Sequence, residues 1–182
     1  MLQPSDAELV EVAQRGDLQS FGMLYERHYR MAVGIARSRL WDVHLAEDAA
    51  QEAFAIACQS LASLQNAARF AEWLGTICRR TAVRLALEQP KLESLTEDHE
   101  PASDATRLSL SRDLHEALAT LDETAREVVM LHYFSRLTHA EIADVLQFTP
   151  QAVHGRLQRA RAKLAELLEP TNAIPATERD TP

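Results

Sequence analysis

Arg156, Arg159, Arg161 and Lys163 stand in the stretch LTHAEIADVLQFTPQAVHGRLQRARAKL, and no Asp or Glu interrupts the chain from Val145 to Ala165. Cations gathered in this way are suited to phosphate recognition. The chain as a whole has a formal net charge of -8, which repels nucleic acid, so any grip on it has to be local and assisted by a partner. On a helix that starts at Pro150, Val153, Leu157, Ala160, Leu164 and Leu167 form one apolar stripe. Gln151, Gly155, Gln158 and Ala162 lie opposite, with His154 and Arg159 beside them. Small residues let a helix backbone sit deep in a groove, Gln matches adenine edges, and Arg takes guanine or phosphate. The plainer alternative is a solvated basic helix end, favoured by the negative pole of the macrodipole. Spacing by itself leaves both open.

Other chemistry finds little support. The sequence has no glycine-rich phosphate loop, no run of metal-ligand spacing and no nucleophile motif, so an enzyme is the weakest expectation, and neither metal nor cofactor is implied. Cys58 and Cys78 both fall in helical apolar patterns and are expected as small buried thiols. Glu47, Asp48, Gln51 and Glu52 share a polar helix face spanning roughly 140° on a wheel of about 100° per residue. Taken alone, such a face is ordinary solvated helix. No apolar run is long enough to span a bilayer and the opening MLQPSDAELVE lacks a basic-then-apolar leader, which predicts a cytoplasmic protein with no membrane insertion.

The elements that must position these groups are all helical. Five Gly and seven Pro in 182 residues leave room for few turns, and no strand alternation is visible. Ser5 with Glu8 predicts a capping box, Gly16 a helix stop, and Asp17 the cap of a helix over about Leu18 to Arg39. Further helices are predicted over about His44 to Leu61, with an alanine seam of Ala46, Ala49, Ala50, Ala53 and Ala57 around Phe54, and over about Arg69 to Glu88. Later helices are predicted near Leu108 to Ala119 and Glu123 to Phe134, the second containing the apolar set Val128, Val129, Leu131 and Tyr133. Thr138 with Glu141 is a second capping box, and Thr149 before Pro150 is a third helix start. Two helices about three residues apart make a helix-turn-helix, whose second helix enters a major groove. Between residues 91 and 106 one basic residue faces five acidic ones among Pro, Ser and Thr, and that excess reads as a solvated tether. The expected architecture is therefore all-α, with small helical domains at 1–90 and 107–170, a flexible acidic linker at 91–106 and a flexible tail at 171–182.

From Asp6 to Leu168 the chain resembles the extracytoplasmic-function (ECF) sigma factors of bacterial RNA polymerase, members of the sigma-70 family. The likeness rests on DAELVEVAQRGDLQSFGMLYERHYR, AEDAAQEAF and FAEWLGTICRR in the first half, and on LATLDETAREVVMLHYFSRLTHAEIADVL and VHGRLQRARAKL in the second. It implies that residues 1–90 are sigma region 2 and residues 107–170 sigma region 4. It further implies that Asp42, Glu47, Asp48, Gln51 and Glu52 dock on core RNA polymerase, through its beta and beta-prime subunits. Arg69, Trp73, Arg79, Arg80 and Arg84 would meet the downstream promoter element and its unstacked bases. For Trp73 a role as core anchor is equally open. Gln151, His154, Arg156, Gln158 and Arg159 would read the upstream element, and an anti-sigma factor would control the whole. A sigma-like adaptor that binds polymerase or a regulator without opening a promoter is the alternative. Many relatives have Asn and Asp where Arg80 and Arg84 stand, a basic pair at Leu87 and Glu88, Gly at Gln147 and Lys at His154, departures that bear on which promoter is read.

Overall fold

The computed structural model describes residues 4–88 and 113–168; the predicted linker at 91–106, the tail at 171–182 and the first turn of the helix predicted from Leu108 lie outside them. Among the described residues every regular element is helical. The first is α1, Asp6–Ala13, held at its start by the predicted box: Ser5 Oγ accepts from the Glu8 amide, and the Ser5 amide donates to the Glu8 carboxylate. Gly16, at φ 98°, turns the chain into α2, Leu18–Arg37, which Asp17 caps. Asp42 caps α3, Val43–Ser60, whose six predicted seam residues, Phe54 included, are all buried. Two short 3-10 turns, Leu61–Ser63 and Ala67–Arg69, lead into α4, Phe70–Glu88. Leu24, Ile35, Phe54, Phe70 and Leu74 fill the centre of the bundle, and a second cluster of Ala36, Ala46, Ala49 and Ala82 with Leu40 lets α2, α3 and α4 approach closely.

The second unit opens with α5, helical over 113–119, and α6, Glu123–Val129, capped by Asp122. The long helix predicted to Phe134 widens into a π turn at Met130–Phe134. Of the apolar set on this helix, Val128, Val129 and Leu131 are buried, whereas Tyr133 is 52% exposed. After α7, His139–Leu146, with its Thr138–Glu141 box, Gln147 sits at φ 57°, ψ 44°. This left-handed turn is one that a β-carbon disfavours and that Gly adopts freely. Thr149 Oγ1 accepts from the Ala152 amide to start α8, Pro150–Leu168. Val153, Leu157 and Ala160 are buried and Leu164 is half-buried, but Leu167 lies beyond the unit and is 51% exposed.

The two units do not stand apart. One continuous core runs from Leu24, Ile35, Phe70 and Leu74 of the first to Val128, Leu131, Ile142, Val145 and Leu157 of the second. Two glycines make the seam close. A β-carbon on Gly34 would run into Ser135 Oγ and lie 3.6 Å from Leu131 Cδ2, and one on Gly75 would meet Val145 Cγ1 at 3.3 Å. Ser135 Oγ donates to the Arg30 carbonyl at 2.8 Å, and Arg30 donates to the Phe134 carbonyl at 2.9 Å. The expectation of two buried thiols is corrected. Cys78 is buried, and burial pushes its thiol up to about 12, whereas Cys58 is exposed because it follows Ala57 on the outward side of α3.

Candidate nucleic-acid interface

The helix-turn-helix is set by local chemistry. The capping box fixes the start of α7, the left-handed Gln147 turns the chain, and Thr149 with Pro150 starts α8. Ile142, Val145, Val153 and Leu157 bury the inner faces. Gln151, His154, Gln158 and Arg159 are all exposed on the outer side of α8. Arg156 is half-buried, its guanidinium 4.1 Å from the Phe148 ring centroid, which holds the charge at the turn. The other two cations of the acid-free stretch serve the unit itself: Arg161 donates to the Tyr133 hydroxyl and Lys163 to the Thr120 carbonyl at 2.6 Å. Arg156, Arg159 and Lys163 still line one shallow cleft with Asp122 and Thr124, a cationic edge suited to backbone phosphate. His154 continues a row of rings, 5.3 Å from His139, which is 5.4 Å from His132. Among the described residues no group of three His, Cys, Asp or Glu could hold a metal ion.

The predicted downstream set is placed differently. All five residues lie on α4 or the turn before it, yet most have partners already. Arg69 pairs with Glu72 and reaches across the seam to Gln147 Oε1 at 2.8 Å. Arg79 donates from Nε to Glu127 Oε1 at 2.8 Å and from a terminal nitrogen to the Val145 carbonyl at 3.2 Å. Arg84 is clamped by Glu52 and Glu88, and its hydrogen bond to Glu88 is the main reason its pKa rises. Trp73 is half-buried, 6.1 Å from Phe70, which favours the anchor reading. Arg80 is exposed.

The acidic face of α3 is likewise divided. Asp48 and Gln51 are exposed and Glu47 half-buried, but the Asp42 carboxylate accepts from the Leu45 amide as a helix cap and Glu52 is spent on Arg84. Two groups that spacing did not single out lie at the seam: Glu127, 2% exposed, and Arg39, which also binds it. The only trace of Glu127 in the sequence is an acid on the apolar stripe with Leu131. Its two partners are 88 and 48 positions away, beyond any local pattern.

Among the described residues no helix is long and apolar enough to cross a membrane. Residues 24–89 match the family model for sigma-70 region 2, and residues 111–164 the model for sigma-70 region 4. The RNA polymerase sigma factor NccH of Alcaligenes xylosoxydans xylosoxydans is 32% identical over 93% of this chain and 98% of its own length. The ECF RNA polymerase sigma factor SigM of Mycobacterium tuberculosis is 30% identical over 90% of this chain and 85% of its own. The solved structure of CnrH in complex with the cytosolic domain of CnrY superposes with a TM-score of 0.66 at 30% identity, covering 91% of this chain and 97% of that one. Two region models in order, near full-length relatives and a shared all-α architecture agree: the chain belongs to the sigma-70 family of RNA polymerase sigma factors, in its extracytoplasmic-function branch.

Proposed function

We propose that this protein works in the cytoplasm as a dissociable initiation subunit, with residues 1–90 as region 2 and residues 107–170 as region 4. It docks on core RNA polymerase, reads an upstream promoter element with α8 and opens a downstream element with α4 and the turn before it. Family membership makes it a transcription regulator rather than an enzyme. The observation that carries the reading is the outer side of α8, where Gln151, His154, Gln158 and Arg159 stand exposed behind a turn fixed by caps at both helix starts. That arrangement supports base-edge readout, with Arg156 and Arg159 on phosphate or guanine. On α3, Asp48 and Gln51 are free to meet polymerase together with Glu47, while Asp42 and Glu52 have their first roles inside the fold. CnrH was solved with the cytosolic domain of CnrY, and by that likeness an anti-sigma factor is the regulator here.

The test is retention of the chain on core polymerase, followed by mapping of transcript starts in cells that overproduce it. New starts that share two spaced elements are the expected result. Retention on polymerase with no run-off product would assign the chain instead as an adaptor, and failure of retention would end the reading.

A further inference from the structure

We propose that His132, His139 and His154 form a phosphodiester-contact row along one flank of α8, cationic only when protonated, so that the C-terminal unit grips upstream DNA more tightly as pH falls. The proposal rests on the functional reading above and adds contact residues and a regulation to it. Helix α8 presents two flanks, one on either side of Gln151 and Gln158. Arg156 and Lys163, two turns apart, share the first, where with Arg159 they line the cleft beside Asp122 and Thr124. His154 and Arg161, also two turns apart, share the second, which faces the π turn and the start of α7. A recognition helix seated in a major groove has a phosphate strand on each side, and the helix before it crosses the backbone. The first flank meets its strand with fixed charge, the second mainly with histidines.

That second flank is a continuous row of rings. The centroid of His154 lies 5.3 Å from that of His139, His139 lies 5.4 Å from His132, and His132 lies 5.0 Å from Tyr133, whose hydroxyl accepts from Arg161. Three elements meet in it: the π turn carries His132, α7 begins with His139, and α8 supplies His154. His154 is exposed and the other two are half-buried, so each keeps a part open to water. The Leu137 carbonyl, which can only accept, lies 3.1 Å from His132 Nδ1 and holds a proton there, so Nε2 is the nitrogen that gains and loses one. A neutral imidazole offers an anion one N-H, and a protonated one offers two and a full charge. A phosphate laid against an imidazole favours its charged form, so DNA binding carries proton uptake with it.

The charged groups around the row leave that swing to the histidines. From α2, Arg30 and Arg37 reach the π turn, and both are engaged at Phe134. From α6, Arg126 rests on Trp41 and Glu127 on Arg39 and Arg79. On α7 the Glu141 carboxylate is held by Thr138, and Asp144 is exposed further along. Arg136 is exposed in the turn before α7, and Arg161 is the fixed cation at the end of the row. Residues of these types keep their charge across the range in which histidine titrates, so pH acts on this surface through the row.

The first experiment uses the full chain reconstituted with core polymerase and a fluorescein-labelled duplex that carries an upstream element alone, titrated with salt at about pH 8 and about pH 6. Wild type is expected to gain affinity at the lower pH, with a salt slope steeper by about one unit for each histidine that takes a phosphate. His139→Gln is expected to lose about one unit of that gain, and His139→Gln with His154→Gln about two. His139→Lys with His154→Lys is expected to keep a steep slope at both pH values. Arg159→Gln is expected to bind more weakly at both and to retain the difference between them. Any pH response of polymerase itself is common to all these chains, so the comparison among them reads the row. A pH-dependent gain in His139→Gln with His154→Gln equal to that of wild type overturns the proposal.

A second measurement needs no polymerase. Histidine side-chain NMR signals of the full chain are followed through a pH titration at low salt, with and without a short DNA duplex. The midpoints of His132, His139 and His154 are expected to rise with the duplex, and that of His44, exposed on α3, to stay. Midpoints in the row that do not move, or that rise no more than that of His44, overturn the proposal. Failed retention on polymerase would sink the functional reading, whereas unmoved midpoints sink the row alone.

Discussion

The two surfaces proposed for promoter DNA are in opposite states. On α8, Gln151, His154, Gln158 and Arg159 face water, ready for a groove, while Arg156 rests on the Phe148 ring. On α4 the arginines are spent within the protein: Arg69 on Glu72 and Gln147, Arg79 on Glu127, Arg84 on Glu52 and Glu88. The difference follows from where each helix packs. The buried stripe of α8 is satisfied by α6 and α7 of its own unit, which leaves the opposite face outward. Helix α4 has two buried sides, one against α2 and α3 and one against α7, and Gly75 draws Val145 down onto the second. A helix with neighbours on two sides offers DNA only what those neighbours release.

The largest expected effect comes from breaking the contact that engages α4. Leu131 is fully buried and its Cδ2 lies at the Gly34 approach, so Leu131→Ala leaves a cavity at the seam and should cost about 2–5 kcal/mol. Urea titration followed by circular dichroism should show the midpoint falling, and trypsin should reach Arg69 and Arg79 sooner than in wild type. A midpoint unchanged by the cavity would mean that the two units do not share a core in solution.

On the presented surface the same kind of change should leave stability alone and move only binding. Gln158→Ala should shift the melting free energy by no more than about 0.5 kcal/mol, since an exposed side chain is removed. If Gln158 reads a base edge, affinity of the polymerase complex for the upstream element should drop by about 1–3 kcal/mol, and discrimination at one base pair should relax. Arg159→Ala should instead weaken all sequences alike and flatten the salt slope by about one unit, if it touches phosphate. Loss of stability in either variant would remove the contrast between the surfaces.

These two surfaces also differ in how far the sequence reveals them. For α8 everything needed is local: a cap, a proline at the first helical position, a stripe by threes and fours, and the polar side opposite. The alanine seam of α3 was equally plain, because its period is contained in one helix. The engagement of α4 was hidden. Glu127 was masked by the apolar run around it, and nothing in the spacing of Arg39, Arg79 and Glu127 says that three helices converge on one carboxylate. The resemblance placed Arg79 and Arg84 near DNA but could not show their acids. The π turn at Met130–Phe134 is equally hidden, since nothing in the apolar set Val128, Val129, Leu131 and Tyr133 signals a widened turn.

A milder way to sharpen the comparison is Gly34→Ala. The added methyl meets Ser135 Oγ, so either the hydroxyl turns away and gives up its bond to the Arg30 carbonyl, or the seam opens. The first outcome costs about 1 kcal/mol, the net worth of one hydrogen bond; overpacking that the site does not absorb costs about 1–3 kcal/mol. Small-angle scattering separates them, because only the second enlarges the particle. An unchanged melting curve with an unchanged radius would show that the seam is looser than the 3.5 Å approach of the Ser135 β-carbon implies.

The smallest effect concerns acid. His115 of α5 stacks on Trp41 of the first unit with ring centroids 3.7 Å apart, and the Arg126 guanidinium lies 5.4 Å from the same indole. Burial lowers the His115 pKa below its ordinary value and the Arg126 charge adds to this, while Glu116 opposes it. The folded chain therefore holds His115 neutral more readily than the unfolded chain does. As pH falls below about 6.5, the unfolded or opened form takes up the proton first, so this contribution to the seam is present at higher pH and is lost on acidification. His115 remains largely exposed, and water screens most of the effect. Trp41 emission, followed in a Trp73→Phe chain between about pH 7.5 and about pH 5.5, should report a transition within the histidine range. His115→Gln should remove it, because an amide of similar reach stacks on the indole without titrating. A transition that persists in His115→Gln would place the titrating group elsewhere and show that the ring stack does not join the two units in solution.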